Sequence, residues 1–419
     1  MKGEEYGNGT PAVVVPTITI PHAVACLRAL GRRGIHTIGV CEQVTPGFHS
    51  RYCDESLIVP APATDINAYK NALLSLAEQP RVRTIVPMRE EESYVLAKYR
   101  AEFGDHLKPV WPSFETIQTV QDRCQLVAAA DAAGVTAPPT ELLTEVDNWD
   151  RNRVVKARYS ILTTDYVNDV PQSGFVSPNA VYFLEPDNEP DVGAIRAEMG
   201  HDPIAQEYIP GEEFALWALY DRGEPVVTCQ KHQIRAEHYY GGTSIYRRTT
   251  YDPALEAAGR ALLDHLEWHG LAAVQFKRDT RTGEFTLMEI NPRAWASMSC
   301  PVQAGVNFPY YYWCIATDTP LEASTIAACR LGVGTHHLAG EIKYLHSAVR
   351  DDHPFVDPPS LSRALLAVGG SLLTQPHYEL LSVDDPRPFI AELGGWMRNR
   401  NLLGWIQNHV PIIPRKGNS

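Results

Sequence analysis

Four side chains in one stretch of the chain could hold a hard cation and an anion side by side. Residues 271–293 read LAAVQFKRDTRTGEFTLMEINPR, where Gln275, Glu289 and Asn291 supply oxygen atoms and Arg293 a guanidinium. Amide and carboxylate oxygens suit Mg²⁺, which prefers hard oxygen ligands. A guanidinium beside them suits a phosphate or a carboxylate. A second group lies upstream, where Lys231, Arg235 and Arg247 flank the pair Gly241-Gly242. Cations beside a glycine-rich turn describe an anion pocket. Both groups also have plainer readings: a hairpin with a polar end, and a solvent-facing basic strand with an ordinary turn.

Strands must carry these residues. Ala272, Val274 and Phe276 alternate with Ala273, Gln275 and Lys277; Phe285, Leu287 and Glu289 alternate with Thr286, Met288 and Ile290. This period predicts a hairpin turning at Asp279-Thr280-Arg281-Thr282-Gly283. Gln275 and Glu289 share a face only if paired residue numbers sum to an even number, and a slip of one residue separates them. Residues 204–209 read as a strand entering the turn Pro210-Gly211, with Glu212 and Glu213 at its exit. Phe214, Leu216 and Trp217 start the next strand, which turns at Asp221-Arg222-Gly223-Glu224 and returns over 225–229. A short strand, Arg153-Val154-Val155-Lys156, ends in a cation.

Residues 11–111 alternate strands and helices, which predicts an open parallel sheet. Strands are expected at 12–20, 37–40 and 83–87, and helices at 22–33, 66–78 and 91–103. The first turn, Pro16-Thr17-Ile18-Thr19, has no glycine for a pyrophosphate, so NAD and FAD are not assigned. Ser50-Arg51-Tyr52-Cys53 and Pro87-Met88-Arg89 read as strand-end loops. Glu90 to Glu92 read as a solvated helix start favoured by the helix dipole, with a substrate-amine contact as the alternative. Asp122-Arg123 opens a helix with Leu126, Val127 and Ala130 apolar. Residues 254–269 form an amphipathic helix, and His265 and His269 read as helix-end histidines, not half a zinc site. Trp295 and residues 310–313 give an aromatic helix for the core. Residues 340–345 read as a strand and 351–359 as a linker. The segment 389–414 mixes Trp396, Leu402, Leu403 and Trp405 with Arg398 and Arg400. Docking on the chain's own body is the favoured reading, and a peripheral membrane or protein contact the alternative.

The chain has 419 residues, enough for about two to four packed units. With 44% hydrophobic and 21% charged residues, it has the composition of an ordinary globular protein. Its 50 acidic against 37 basic side chains argue against a general nucleic-acid binder. Eight cysteines form no C-x-x-C pair. Cys26, Cys41, Cys53, Cys314 and Cys329 sit among apolar residues and read as buried thiols in a reducing, cytoplasmic setting. No stretch is apolar enough to span a bilayer.

MEINPR preceded by VQFK resembles the metal-binding end of the ATP-grasp superfamily. The likeness covers roughly three quarters of the chain, with motifs in the family's usual order. The implied fold is α/β and α+β: an N-terminal Rossmann-like parallel-sheet domain (1–113), a small lid subdomain (114–205), a large subdomain with the metal hairpin (206–320) and a partly helical C-terminal extension (321–419). The implied cofactors are ATP and Mg²⁺, two ions, replaceable by Mn²⁺. Gln275, Glu289 and Asn291 are the implied metal ligands. Arg123, Lys156, Glu207, Tyr208, Ile209 and Glu213 are the implied nucleotide contacts: Arg123 and Lys156 on phosphates, residues 207–209 on the adenine edge, Glu213 on the ribose. Lys231, Arg235 and Arg293 are the implied catalytic cations around the substrate carboxylate. Two departures stand out. Gln275 is a neutral ligand, so one cation should bind more weakly than with a carboxylate there. The lid loop, Pro171-Gln172-Ser173-Gly174, has one glycine where backbone must approach phosphate.

Such enzymes activate a carboxylate as an acyl phosphate, which an amine or similar nucleophile attacks. The expectation is therefore a cytoplasmic ligase acting on a small carboxylate and amine, with a second copy of the same chain, in a homodimer, as the candidate protein partner. The rivals are a bicarbonate-dependent carboligase, similar to biotin carboxylase and carbamoyl-phosphate synthase, and an ATP-binding module without chemistry.

Overall fold

The computed structural model describes residues 9–398, apart from 18–19, 169, 171–173, 179 and 323. Most of the lid loop, half of the first turn and the end of the aromatic-basic tail therefore lie outside the described residues. The chain builds three sheets. The first is parallel, in the order β3-β2-β1-β4, from β1 (Ala12–Val15), β2 (His36–Cys41), β3 (Glu55–Ile58) and β4 (Val82–Ile85). Strand β1 is apolar throughout because helices cover both of its faces. Val13 and Val15 pack with Leu27 and Leu30 of the helix Pro21–Gly31. Ala12 and Val14 pack with Leu73 and Tyr94 on the other side.

The second sheet is antiparallel, in the order β5-β8-β6-β7: β5 (Thr140–Leu142), β6 (Arg153–Lys156), β7 (Val181–Leu184) and β8 (Ile204–Glu207). Its small core gathers Leu143, Val155, Leu184, Ile195, Met199 and Ala205. The third sheet has six antiparallel strands, in the order β13-β12-β9-β10-β11-β14. They are β9 (Gly211–Asp221), β10 (Glu224–His238), β11 (Gly241–Thr250), β12 (Gly270–Asp279), β13 (Phe285–Asn291) and β14 (Gly334–His336). Strand β9 is the hub. Phe214, Leu216, Ala218 and Tyr220 pack with the helix Pro253–His265, while Ala215, Trp217 and Leu219 face a separate core with Trp295 and Phe308. The parallel sheet is as the sequence reads, and the hairpin forms, but its register shifts between Gln275 and Phe276: Phe285, Leu287 and Ile290 share one core, and Glu289 leaves the face that strict alternation gives it.

Several elements differ. Residues 340–345 lie in the helix Leu338–Arg350, not a strand. Its buried residues, Ala339 to Glu341 and then Ser347 and Ala348, recur at helical spacing, and the strand is the adjacent β14. Strand β3 escaped notice because, as a sheet edge, it is largely exposed and does not alternate. The helix Pro253–His265 ends before His269, which instead contacts Pro109 O and accepts from the Arg222 amide. Trp295 precedes the aromatic helix Phe308–Ala316 and packs edge-on against Phe308. Glu90 to Glu92 are not solvated: Glu92 is fully buried, bound by Tyr69, Thr17 and Arg89. Cys329 is not a free thiol but is bonded to Cys229, a pairing across 100 residues that spacing could not reveal. The stretch 351–359 has no regular structure but packs inward, with His353 between Phe183 and Tyr240. None of the described helices is long and apolar enough to cross a membrane.

The second and third sheets join at Gly211. Its φ is +146°, and a Cβ there would lie 2.0 Å from the Arg278 carbonyl oxygen of β12. Gly223, also at positive φ (+85°), has open space around it. We expect Gly211→Ala to cost about 3 kcal/mol or more and Gly223→Ala about 1 kcal/mol, read from urea midpoints. Equal costs would show that backbone strain alone, not the close approach, fixes Gly211.

Candidate active site

Pairing on the six-stranded sheet sets the site's floor. Lys231 of β10 pairs with Ala215 of β9, Ala215 with Gln275 of β12, and Gln275 with Glu289 of β13. The pair sum of 275 and 289 is even, as the shared face requires. One row along, Trp217 pairs with Ala273 and Ala273 with Asn291. One row the other way, Glu213 pairs with Lys277. Residues two apart on a strand share a face, so these rows pave one surface. Above it lies a cavity of about 380 Å³, lined by Lys156, Glu213, Lys231, Gln275, Glu289, Asn291 and Arg293, among others. Lys156 reaches it from the second sheet, at the end of β6.

Hydrogen bonds order the carboxylate end. Glu289 Oε1 accepts from Gln275 Nε2 and from Asn291 Nδ2, both at 3.0 Å. Arg293 Nη2 donates to Asn291 Oδ1 at 2.6 Å, and its Nε to Glu90 Oε1 at 3.0 Å. The first residue of the helix Glu90–Lys98, which follows the parallel sheet, therefore braces the guanidinium. Arg123, whose helix Arg123–Ala132 is capped by Asp122, brings Nη2 to 3.9 Å from Glu289 Oε2. Burial alone would raise the Glu289 pKa, but Arg123, the Asn291 amide, Lys156 and Arg293 outweigh it and hold it low. Cations dominate the remainder. Burial, with help from Arg123 and Lys277, brings Lys156 down to about 7. Burial brings Lys231 down to about 8, opposed by Glu213 and aided by Arg247. Burial also lowers Lys277, against Glu213.

The implied adenine-edge residues lie next door. Glu207 and Tyr208, with Arg151, Arg281, Pro354 and Phe355, line a second cavity of about 510 Å³. Lys277 links the two cavities: it lines the first, its Nζ stands 5.0 Å from the Tyr208 ring centre, and it donates to Ile209 O at 3.2 Å. Ile209 itself is buried. Glu207 is held by Arg281 at 2.8 Å and Arg151 at 3.5 Å.

Arg235 is not brought to the site. The β10–β11 register shifts between Gln233 and Arg235, resetting the alternation. Arg235 pairs instead with Glu341 at 2.8 Å and stands 4.6 Å from the Tyr246 ring centre. Arg247 is likewise withdrawn, fully buried and paired with Glu379. Two contributors were missed. Lys277 read only as a member of the alternation, although a lysine beside apolar residues facing Glu213 carried the signal. Gln233, bonded to both Lys231 and Glu213, gave none.

A family model described as ATP-grasp in the biosynthetic pathway with Ter operon matches residues 201–338. No curated protein matches. Among solved structures, the chain is similar to the L-amino acid ligase from Bacillus licheniformis, with 16% identity, a TM-score of 0.57, and 78% of this chain and 79% of that one covered. It is similar to the N5-carboxyaminoimidazole synthetase from Staphylococcus aureus, with 13% identity, a TM-score of 0.58, and 83% and 87% covered. It is also similar to the biotin carboxylase domain of the Hydrogenobacter thermophilus 2-oxoglutarate carboxylase, solved with MgADP, ADP and bicarbonate, with 14% identity, a TM-score of 0.58, and 78% and 73% covered. The chain thus shares the fold of these structures, and its residues 201–338 match an ATP-grasp family model.

Removing one partner of a buried ion pair leaves the other uncompensated. Arg235→Ala should thus cost about 2–4 kcal/mol in stability, because Glu341 keeps only its His336 contact, yet leave nucleotide affinity unchanged. Denaturant unfolding and calorimetric titration with ADP read the two effects. Intact stability with lost affinity would return Arg235 to the site.

Proposed function

We propose that the chain is an ATP-dependent ligase that activates a small carboxylate as an acyl phosphate for attack by an amine or similar nucleophile. The observation that carries this reading is the gathering of Lys156, Lys231, Glu289, Asn291 and Arg293 around one cavity by three separate segments. ATP brings about four negative charges and the acid another. Phosphoryl transfer asks the protein mainly for placement and charge compensation. Lys156 and Arg123 are assigned to the phosphates, Glu213 to the ribose, and the stretch of Glu207, Tyr208 and Ile209 to the adenine edge. Lys231 and Arg293 are assigned to the acid. A carboxylate oxygen attacks the γ-phosphorus and ADP leaves. The nucleophile then attacks the acyl carbon and phosphate leaves.

The donor set fits Mg²⁺. Among the described residues no three His, Cys, Asp or Glu side chains come together. Gln275, Glu289 and Asn291 offer one carboxylate and two amides, which suits an ion that keeps waters and takes phosphate oxygens. When bound, Mg²⁺ would neutralise charge on the transferring phosphoryl group. Two ions, and tolerance of Mn²⁺, belong to the same proposal. So do the divisions at 113, 205 and 320, a homodimer, and a cytoplasmic location, where ATP is at hand. Against that location stands the Cys229–Cys329 bond, of a kind rare in a reducing compartment.

The solved relative holding MgADP and bicarbonate motivates one rival, in which bicarbonate is the acid. An ADP-release screen with Mg²⁺, pooled carboxylates and pooled amines tests the proposal. Release with bicarbonate and no organic acid favours the rival. ATP binding with no release across the panel overturns both and leaves a binding module. Glu289→Ala should lower ADP formation by about a hundredfold or more while the folded far-UV spectrum persists. Unchanged turnover removes the metal assignment.

Lys156 gives a pH dependence. Its pKa in the free protein is about 7, and phosphates beside it raise that value. Nucleotide binding therefore takes up a proton at pH 8, and affinity falls as pH climbs above about 7. Calorimetry in buffers of different ionisation enthalpy measures the uptake. No uptake, or a Lys156→Met variant with the same uptake, refutes it.

A further inference from the structure

The end of the cavity away from Glu289 has its own chemistry. Trp295 and Trp217 are both almost fully buried and stack at 5.5 Å between ring centres, 7° from parallel. Trp295 lines the cavity, yet its indole N–H is buried without a hydrogen-bond partner. Ser244 Oγ lines the same cavity in the same condition. Lys231, 5% exposed, has only a neutral partner for its ammonium group, Gln233 Oε1 at 3.0 Å. Buried donors are normally satisfied, and these have acceptor positions to fill. The floor between them is cut back to methyl groups, because Ala215 and Ala273 occupy the central positions of their rows and line the cavity.

We propose that Trp295 Nε1, Ser244 Oγ and Lys231 Nζ form the oxyanion end of the acid subsite, and that the Trp217–Trp295 stack and the alanine floor seat a short apolar body behind it. The substrate class is a monocarboxylate of amino-acid size or smaller. At this end Arg247 is committed to Glu379, which leaves Lys231 to meet a single carboxylate. The second charge of a dicarboxylate would lie against the Trp217–Trp295 stack and the alanine floor, which disfavours it. The inference rests on the carboxylate-activating reading above, but it assigns specificity to residues that reading does not use.

The probes are acetate, butyrate and 3-phenylpropionate against succinate and glutarate. Binding is measured by calorimetry with ADP and Mg²⁺ present, and turnover by ADP release. Trp295→Phe keeps the ring and removes the N–H. We expect it to raise KM for the preferred monocarboxylate about tenfold, with kcat changed less and ADP affinity unchanged. Ser244→Ala should act in the same direction. Ala215→Leu fills the floor and should abolish acid binding while ADP still binds, which shows the sheet is intact. A preference for dicarboxylates, or an unchanged KM in both Trp295→Phe and Ser244→Ala, overturns the subsite. Monocarboxylates that bind but give no ADP in the parent protein leave the subsite standing and overturn the activation reading instead.

Discussion

The pairing of Gln275 with Glu289 across β12 and β13 governs the rest of the site. It decides that the carboxylate points into the cavity and not into the core beneath the sheet. A hairpin slipped by one residue would bury Glu289 among Leu216, Leu262 and Phe276, where an unpaired carboxylate is not tolerated. Conversely, Ile290 would turn outward to the cavity. The apolar face therefore fixes the register, and the register delivers the polar face. Chemistry and stability are the same constraint seen from two sides of the sheet.

Around that carboxylate the protein accumulates positive charge without neutralising it. Arg123, Lys156, Lys277 and Lys231 are all buried enough to have their pKa values lowered. Only Glu213 and Glu289 oppose them among the lining residues. Such a cavity is unfavourable when empty of anions, and a polyanion relieves it. The cost falls on the free protein, and the stability of the surrounding core supports it.

The two strands of the hairpin, the parallel sheet and the capped helix at Asp122 were legible because each follows from local rules, but the register shift that brings Glu289 to the cavity face was not. Lys156, Glu213 and Arg293 were named through resemblance, since nothing local distinguishes a strand-end lysine from a surface one. Arg235 shows the limit of alternation. A single extra residue in β10 turned it to the other face, and no sequence rule flags that bulge. Glu92 shows another limit. Three acidic residues in a row suggest solvent, but Tyr69 and Thr17 come from elsewhere in the fold to join the neighbouring Arg89 in burying one of them. The Cys229–Cys329 bond and the inward packing of His353 depend on contacts over a hundred residues or more, which composition does not encode.

The Rossmann-like sheet carries a partner from the far end of the chain. Arg28 Nε donates to Asp385 Oδ2 at 2.9 Å, and its Nη groups donate to the carbonyls of Glu379, Leu380 and Asp385. Ser50 Oγ and the Arg51 amide complete the grip on the same carboxylate. During synthesis on the ribosome, the first sheet emerges long before residues 379–385 exist. Its Arg28 must wait, hydrated, until the chain has been made past residue 385. The surface around Arg28 is thus completed more than three hundred and fifty residues after the helix that carries it.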